Sequence, residues 1–156
     1  MEFRLRNIRE DNDLTQEKLA KILGVKHSVI GNWENEKDTI PLERLNTFCN
    51  YFQVSMDYVC KLTNSRFTKN TSNKIDRIEI GKRLKRIRKE HNDTQQTIAQ
   101  IIGIDRSNYS RYELGKNLIL TSLLIAFCKH YNISMDFICY ETNTSKKEST
   151  RKIISV

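Results

Sequence analysis

The chain has little that would build a β-sheet or cross a membrane. It shows no sustained alternation of apolar and polar residues, and it lacks the Asn-Gly and Asp-Gly pairs that favour hairpin turns. It also has no long apolar run, and charged residues begin at Glu2, so neither a membrane span nor a signal peptide is predicted. We therefore expect an all-α, cytoplasmic protein with no membrane partner.

Signals of catalysis and of bound metal are missing as well. The four cysteines (Cys49, Cys60, Cys128 and Cys139) lack the close C-x-x-C spacing of zinc sites, and each lies in an apolar stretch. This pattern predicts buried thiols in a reducing compartment. The sequence offers no nucleophile paired with a base, no metal-ligand cluster and no glycine-rich phosphate loop. We expect no catalytic residue, metal, cofactor or small-molecule ligand, and hence no enzymatic activity.

What the chain does contain is one pattern that occurs twice. Segment 4–64 aligns with segment 83–143 without a gap, and equivalent residues lie 79 positions apart, as Leu5 and Leu84 do (84 − 5 = 79). Such a repeat is the first guide to the number of domains. We predict domain 1 over 1–64 (unit 1), a polar linker over 65–78, domain 2 over 79–143 (unit 2) and a basic C-terminal tail over 144–156.

Apolar periodicity and turn residues predict five helices in each unit. In unit 1 they span 2–12, 16–23, 26–35, 41–52 and 55–60. In unit 2 they span 80–90, 95–102, 106–114, 121–131 and a short stretch from Ser134. Thr15 is expected to cap the second helix, and Gly24 to end it. The far end of the linker stays open because Ile75 and Ile78 could extend the next helix backwards. For the tail, disorder and a docking strand are both open.

The second and third helices of each unit, with a glycine turn between them, carry a repeated motif. It reads T-Q-x-x-[LI]-A followed by S-x-x-x-x-[WY]-E, and it begins at Thr15 in unit 1 and at Thr94 in unit 2. The motif resembles the Xre/Cro family of phage and bacterial repressor DNA-binding domains. The resemblance implies two tandem five-helix domains with a helix-turn-helix, in a transcriptional regulator that acts as a repressor on double-stranded DNA. Such a protein would be encoded by a bacterium or a phage and associated with the nucleoid.

The same resemblance implies which side chains contact DNA. In a helix-turn-helix the second helix of the motif, the recognition helix, enters the major groove. Base contacts are expected from the outer face of that helix, where Arg can pair with guanine and Asn with adenine. These residues are His27, Ser28 and Asn32 in unit 1, and Arg106, Ser107 and Arg111 in unit 2. Lys26 and Ser110 lie on the same outer faces and are also expected to bind DNA. Phosphate contacts are expected at helix N-termini and just past the recognition helices. These residues are Gln16, Lys37, Gln95 and Lys116.

Two departures separate the units. Unit 1 has Glu36 where unit 2 has Gly115, and the family favours glycine there because the helix ends in a left-handed residue. Unit 1 holds 9 Lys and Arg against 10 Asp and Glu, a net charge of −1, whereas unit 2 holds 10 against 7, a net charge of +3. Two hypotheses follow. Either both units read DNA as linked readers, or unit 2 alone reads DNA while unit 1 serves self-association or a protein partner. The resemblance also implies that Arg9–Glu34 and Arg88–Glu113 are structural ion pairs.

Overall fold

A computed structural model describes residues 2–66 and 74–140. Within these ranges the regular elements are ten α-helices, divided between two compact units. The fold class predicted from the sequence, two tandem five-helix domains, is confirmed. Half of the predicted linker (67–73), the last residues of predicted domain 2 and the whole predicted tail lie outside the described residues.

Unit 1 contains five helices around a single apolar core. They are α1 (Leu5–Asp11), α2 (Gln16–Leu23), α3 (His27–Glu34), α4 (Leu42–Phe52) and α5 (Met56–Val59). Apolar side chains at helical spacing point inward from the first four helices. The most deeply buried of them are Leu5, Ile8, Leu19, Ile30, Leu45 and Phe48.

Unit 2 repeats the plan with a longer first helix. Its helices are α6 (Arg77–Glu90), α7 (Gln95–Ile102), α8 (Arg106–Glu113), α9 (Thr121–Tyr131) and α10 (Met135–Tyr140). Its core uses the equivalent positions, with Tyr109 replacing Ile30 of unit 1. The fully buried side chains include Leu84, Ile87, Ile98, Tyr109, Leu124 and Phe127.

The turn between the two motif helices has the predicted local structure. Thr15 caps α2, because its side chain accepts a hydrogen bond from the Lys18 N–H at 3.2 Å. Gly24 ends α2 with φ 64°, and Gly103 ends α7 with φ 80°, so both lie in the left-handed region that favours glycine. The small Ala20 is buried, which lets the neighbouring helices pack closely.

The first helix of unit 2 begins before residue 80, in line with the alternative that Ile78 extends it backwards. The Asp76 side chain caps it by accepting hydrogen bonds from Ile78 N–H (2.8 Å) and Glu79 N–H (3.3 Å), so α6 begins at Arg77, inside the predicted linker. At the other end of that linker, the Arg66 carbonyl accepts a hydrogen bond from the Ser55 N–H at 3.2 Å. The stretch of linker between Arg66 and Asp76 is therefore shorter than the predicted linker.

Smaller differences concern unit 1. Helix α1 begins at Leu5 rather than at residue 2, and the Arg4 N–H is bonded to the Val59 carbonyl at 2.9 Å instead of starting a helix. Pro41 is the N-cap residue of α4 and not part of its first turn. All four cysteines are buried thiols rather than disulfides. Among the described residues, no helix is long and apolar enough to cross a membrane.

Candidate nucleic-acid interface

Recognition helix α3 of unit 1 presents a polar outer face. Ile30 and Trp33 are 1% and 4% exposed, so they anchor α3 in the core and fix which side faces outward. The residues of α3 and its N-cap that the sequence predicted to bind DNA are all exposed, namely Lys26, His27, Ser28 and Asn32. Val29, another apolar residue of α3, is half-buried.

Recognition helix α8 of unit 2 is oriented in the same way. Tyr109 is fully buried beneath it, while Arg106, Ser107 and Arg111 are exposed and Ser110 is half-buried. Arg111 donates a hydrogen bond from Nη2 to Asn117 Oδ1 at 3.4 Å. This bond places the loop that follows α8 at the border of the outer face. Neither Asn117 nor its role was recognised in the sequence.

The two recognition helices begin differently. Asp105 caps α8: its Oδ1 accepts the Asn108 N–H at 2.9 Å and its Oδ2 accepts the Asn108 side-chain amide at 2.5 Å. These bonds, the backbone one foremost, hold the pKa of Asp105 below its usual value. Lys26 stands at the equivalent position of unit 1, and an ammonium group cannot accept N–H bonds. The cap could have been found from the spacing of an Asp three residues before an Asn.

The predicted ion pairs are present in both units. Arg9 donates from Nε to Glu34 Oε1 (2.7 Å) and from Nη2 to Glu34 Oε2 (3.0 Å), and its Nη1 reaches the Leu14 carbonyl at 2.7 Å. In unit 2, Arg88 makes the same two bonds to Glu113 at 2.6 and 2.9 Å. Each pair ties the first helix of its unit to the end of the recognition helix, as the sequence predicted.

The glutamines predicted to contact phosphate also belong to these networks. Gln16 donates from Nε2 to Glu34 Oε2 at 2.9 Å, and Gln95 donates to Glu113 Oε2 at the same distance. One amide hydrogen of each glutamine is therefore used within the protein, and the second remains for a phosphate. The network thus connects the N-terminus of the first motif helix to the end of the recognition helix.

Hydrogen bonding keeps the buried glutamates charged. Burial alone would raise the pKa of Glu34, but bonds from Arg9 and Gln16 outweigh it, and the pKa lies below the ordinary value. The same balance lowers the pKa of Glu113. In unit 2 the Tyr109 hydroxyl is an additional neighbour of the pair. Burial, and then the negative charge of Glu113, raise the pKa of this hydroxyl. Tyr109 therefore stays neutral beside the pair.

The loops after the recognition helices hold the remaining predicted contacts. Lys37 and Lys116 are exposed, and the backbone N–H of each donates to the carbonyl five residues back, on Asn32 and Arg111 respectively, at 2.9 Å. The residue before each lysine is left-handed, with φ 59° at Glu36 and 65° at Gly115. Unit 1 therefore has a non-glycine residue, Glu36, in the strained left-handed region of the backbone.

Comparison with known families agrees with this geometry. A family model described as helix-turn-helix matches residues 5–59 and, a second time, residues 84–138. This chain belongs to that helix-turn-helix family. The two matches are offset by the same 79 residues as the repeat (84 − 5 and 138 − 59). Each match runs from the first to the last helix of one helix-turn-helix unit.

Three similar proteins share parts of the helix-turn-helix chain. Antitoxin PezA of Streptococcus pneumoniae serotype 4 is 44% identical over 55 residues, which cover 35% of each protein. The uncharacterized HTH-type transcriptional regulator YobD of Bacillus subtilis is 38% identical over 60 residues, 38% of this chain and 54% of YobD. The HTH-type transcriptional regulator ImmR of Bacillus subtilis is 33% identical over 73 residues, 47% of this chain and 58% of ImmR.

These similarities are confined to a part of each protein. The aligned stretches span between about a third and three fifths of the length of the curated relatives. No solved structure matches the chain. The likeness therefore establishes the two helix-turn-helix units. Within this single chain, the outer faces of α3 and α8 differ from one another.

Proposed function

We propose that the chain is a sequence-specific regulator of transcription, a repressor, that binds double-stranded DNA with two linked helix-turn-helix units. The observation that carries this proposal is the outer face of each recognition helix, held outward by a buried side chain on the opposite side. A short, rigidly anchored helix with such a face fits the major groove. The family membership and the regulator names of two relatives support the same function.

The two faces differ in the bases that they favour. Arg106 and Arg111 can each bond O6 and N7 of guanine, whereas Asn32 suits N6 and N7 of adenine. Because the two helices present different groups, we expect the complete binding site to be composite rather than palindromic. The half under unit 2 should contain guanine.

The link between the units makes binding of the second half-site intramolecular. Between Arg66, which is bonded to unit 1, and Asp76, which caps α6, the chain has nine residues. A segment of this length spans at most about 35 Å, near the roughly 34 Å that separates half-sites one helical turn apart. A short link raises the effective concentration of the second reader to the order of millimolar. Adjacent half-sites are therefore within reach of one chain.

A second candidate function applies to unit 1 alone. Its net charge is −1, and Glu36 places a carboxylate in the loop where a phosphate contact is expected. Most non-specific affinity for DNA comes from neutralised phosphates, so these features favour a protein-interaction or self-association module. In that case unit 2 alone would read DNA. The exposed Asn32 and Lys37 favour the first proposal.

Selection of bound sequences from a random DNA pool with the full chain distinguishes these functions. Two spaced motifs are expected if both units read DNA, and one motif is expected if only unit 2 does. The double variants His27→Ala/Asn32→Ala and Arg106→Ala/Arg111→Ala, each made in the full chain, assign each motif to a unit. Recovery of no enriched sequence by the wild-type chain would contradict sequence-specific binding.

A further inference from the structure

Helix α6 begins earlier in its repeat than α1 does. The equivalent of Leu5, where α1 begins, is Leu84, so α6 carries seven additional helical residues before that position (84 − 77 = 7). This extension lies directly on the loop that ends α8. A Cβ on Gly81 would come within 2.4 Å of the Tyr112 carbonyl oxygen, and a Cβ on Gly115 would come within 2.8 Å of Ile78 Cα. Only glycines allow so close an approach.

Arg77 is the cation that this extension places on the loop. Its Nε donates to the Gly115 carbonyl at 2.8 Å, and the side chain is otherwise exposed. The two terminal nitrogens make no hydrogen bond among the described residues. Lys116 follows Gly115 in the chain and is also exposed. Arg77 and Lys116 are thus two exposed cationic residues on the loop at the end of the recognition helix.

The position of this loop relates it to the DNA-facing surface. Asn117, at its far side, accepts a hydrogen bond from Arg111, which lies on the outer face of α8. A groove that holds α8 would bring a sugar–phosphate strand along this border. A guanidinium that is fixed through Nε keeps its two terminal N–H groups oriented, which is the geometry that binds phosphate in a bidentate manner.

We propose that Arg77 and Lys116 form a backbone-phosphate site in unit 2, at the end of its recognition helix. The inference rests on the proposed DNA-binding function and extends it to a residue outside the helix-turn-helix motif. Of the nearby acids, Asp76 accepts the capping hydrogen bonds of α6 and Glu79 pairs with Lys82 at 2.7 Å. In unit 1 the loop after α3 has Lys37 beside Glu36, and Arg6 there donates to Asn35 Oδ1 at 2.7 Å.

The test compares Arg77→Gln with Lys89→Gln in the full chain. Lys89 is exposed on the same helix, away from the loop, and its variant removes the same charge. The probes are the best-bound duplex from the random pool and one unrelated duplex, titrated from about 50 to about 200 mM salt. Loss of one phosphate contact makes the fall of log affinity with log salt less steep by about 0.9. The ratio of wild-type to variant affinity should therefore decrease about 3.5-fold between the two salt concentrations.

Three results support the site together. The slope change should occur on both duplexes, because a phosphate contact is independent of sequence. Lys89→Gln should leave the slope as in the wild type. Arg77→Lys should restore it, since lysine keeps the charge although it loses the planar Nε contact with Gly115.

Two results would overturn the site while the proposed function stands. If Arg77→Gln lowers the melting temperature and the affinity but leaves the salt slope unchanged, Arg77 only supports the loop. If Lys89→Gln lowers the slope equally, the effect is one of overall charge. A wild-type chain that binds neither duplex would instead remove the proposed function, and the site with it.

Discussion

The two units share one scaffold and differ at both ends of the recognition helix. At its start, α8 is capped by Asp105, whereas α3 begins after Lys26. At its end, α8 passes into Gly115 beneath the extension of α6, whereas α3 passes into an exposed, left-handed Glu36. The recognition helix of unit 2 is therefore capped at its start and packed against α6 at its end, whereas that of unit 1 has no side-chain cap and is contacted at its end by Arg6, which donates to Asn35 Oδ1 at 2.7 Å.

This difference separates what the fold requires from what each unit adds. The Arg–Glu–Gln network has the same bonds in both units, with lengths that agree within about 0.1 Å for the arginine–glutamate and glutamine–glutamate contacts. It is therefore the common support of the helix-turn-helix. The caps and the loop residues vary, because they lie at the surface where DNA or a partner imposes its own demands.

The largest effect is expected from breaking the common network. Glu113→Ala leaves the Arg88 guanidinium buried without its carboxylate, and we expect a loss of about 3–5 kcal/mol in the free energy of unfolding. Glu34→Ala should cost a similar amount in unit 1. Thermal unfolding measures both. The control is Glu90→Ala, which removes an exposed pair with Arg86 (3.8 Å) worth less than about 1 kcal/mol. Equal melting temperatures for Glu113→Ala and Glu90→Ala would refute the structural role of the pair.

The same network should make both units sensitive to acid. The folded-state pKa of Glu113 is lowered, so its stabilising contribution is complete above about pH 4.5, the ordinary glutamate value, and is lost as the pH falls through the lowered pKa. The pKa of Glu34 is lowered too, so its contribution to stability is lost over the same direction of pH change. Glu113→Gln should flatten the acid side of a plot of melting temperature against pH. An unchanged acid limb would show that other carboxylates govern acid unfolding.

Exchanging the loop residues should have opposite effects in the two units. Gly115→Ala adds a Cβ at φ 65° and against Ile78, and we expect it to destabilise unit 2 by about 1–3 kcal/mol. Glu36→Gly removes the left-handed strain from unit 1 and should stabilise it by about 1 kcal/mol. Chemical denaturation of the full chain measures both changes. Two changes of the same sign would mean that the loops are not equivalent.

Substitutions on the base-reading faces should change the specificity of DNA binding more than the stability of the protein. Arg106→Ala or Arg111→Ala should cost about 1–3 kcal/mol of binding on the selected site and relax the preference at one base pair. Their melting temperatures should stay near that of the wild type, since both side chains are exposed. Binding to a panel of single-base variants of the site provides the measurement. Uniform weakening on every sequence would reassign the arginine to phosphate contact.

The smallest effect is expected at the helix start. Asp105→Ala removes the cap of α8 and should lower the melting temperature of unit 2 by less than Gly115→Ala does. Lys26→Asp introduces the same cap into α3 and should raise the melting temperature of unit 1. If neither substitution changes the unfolding temperature, the start of the recognition helix does not limit the stability of either unit.

Much of this fold was accessible from the sequence, for identifiable reasons. Helices α2, α7 and α9 have the predicted bounds because Gly24 and Gly103 end α2 and α7 and apolar periodicity marks all three. The start of α6 was left open between Ile80 and a backward extension through Ile78, because the capping role of Asp76 was not recognised. For the same reason Arg77 was assigned to the linker. The DNA contacts of the outer faces remain predictions.

The close approach of α6 to the loop after α8 also limits how the two repeats can be combined. A recombinant in which α6 is followed by the loop of unit 1 would place Glu36 beneath Ile78, where a Cβ comes within 2.8 Å of the Ile78 Cα. Although the copies align without a gap, the loop of unit 1 therefore cannot replace the loop of unit 2 unless the start of α6 shifts.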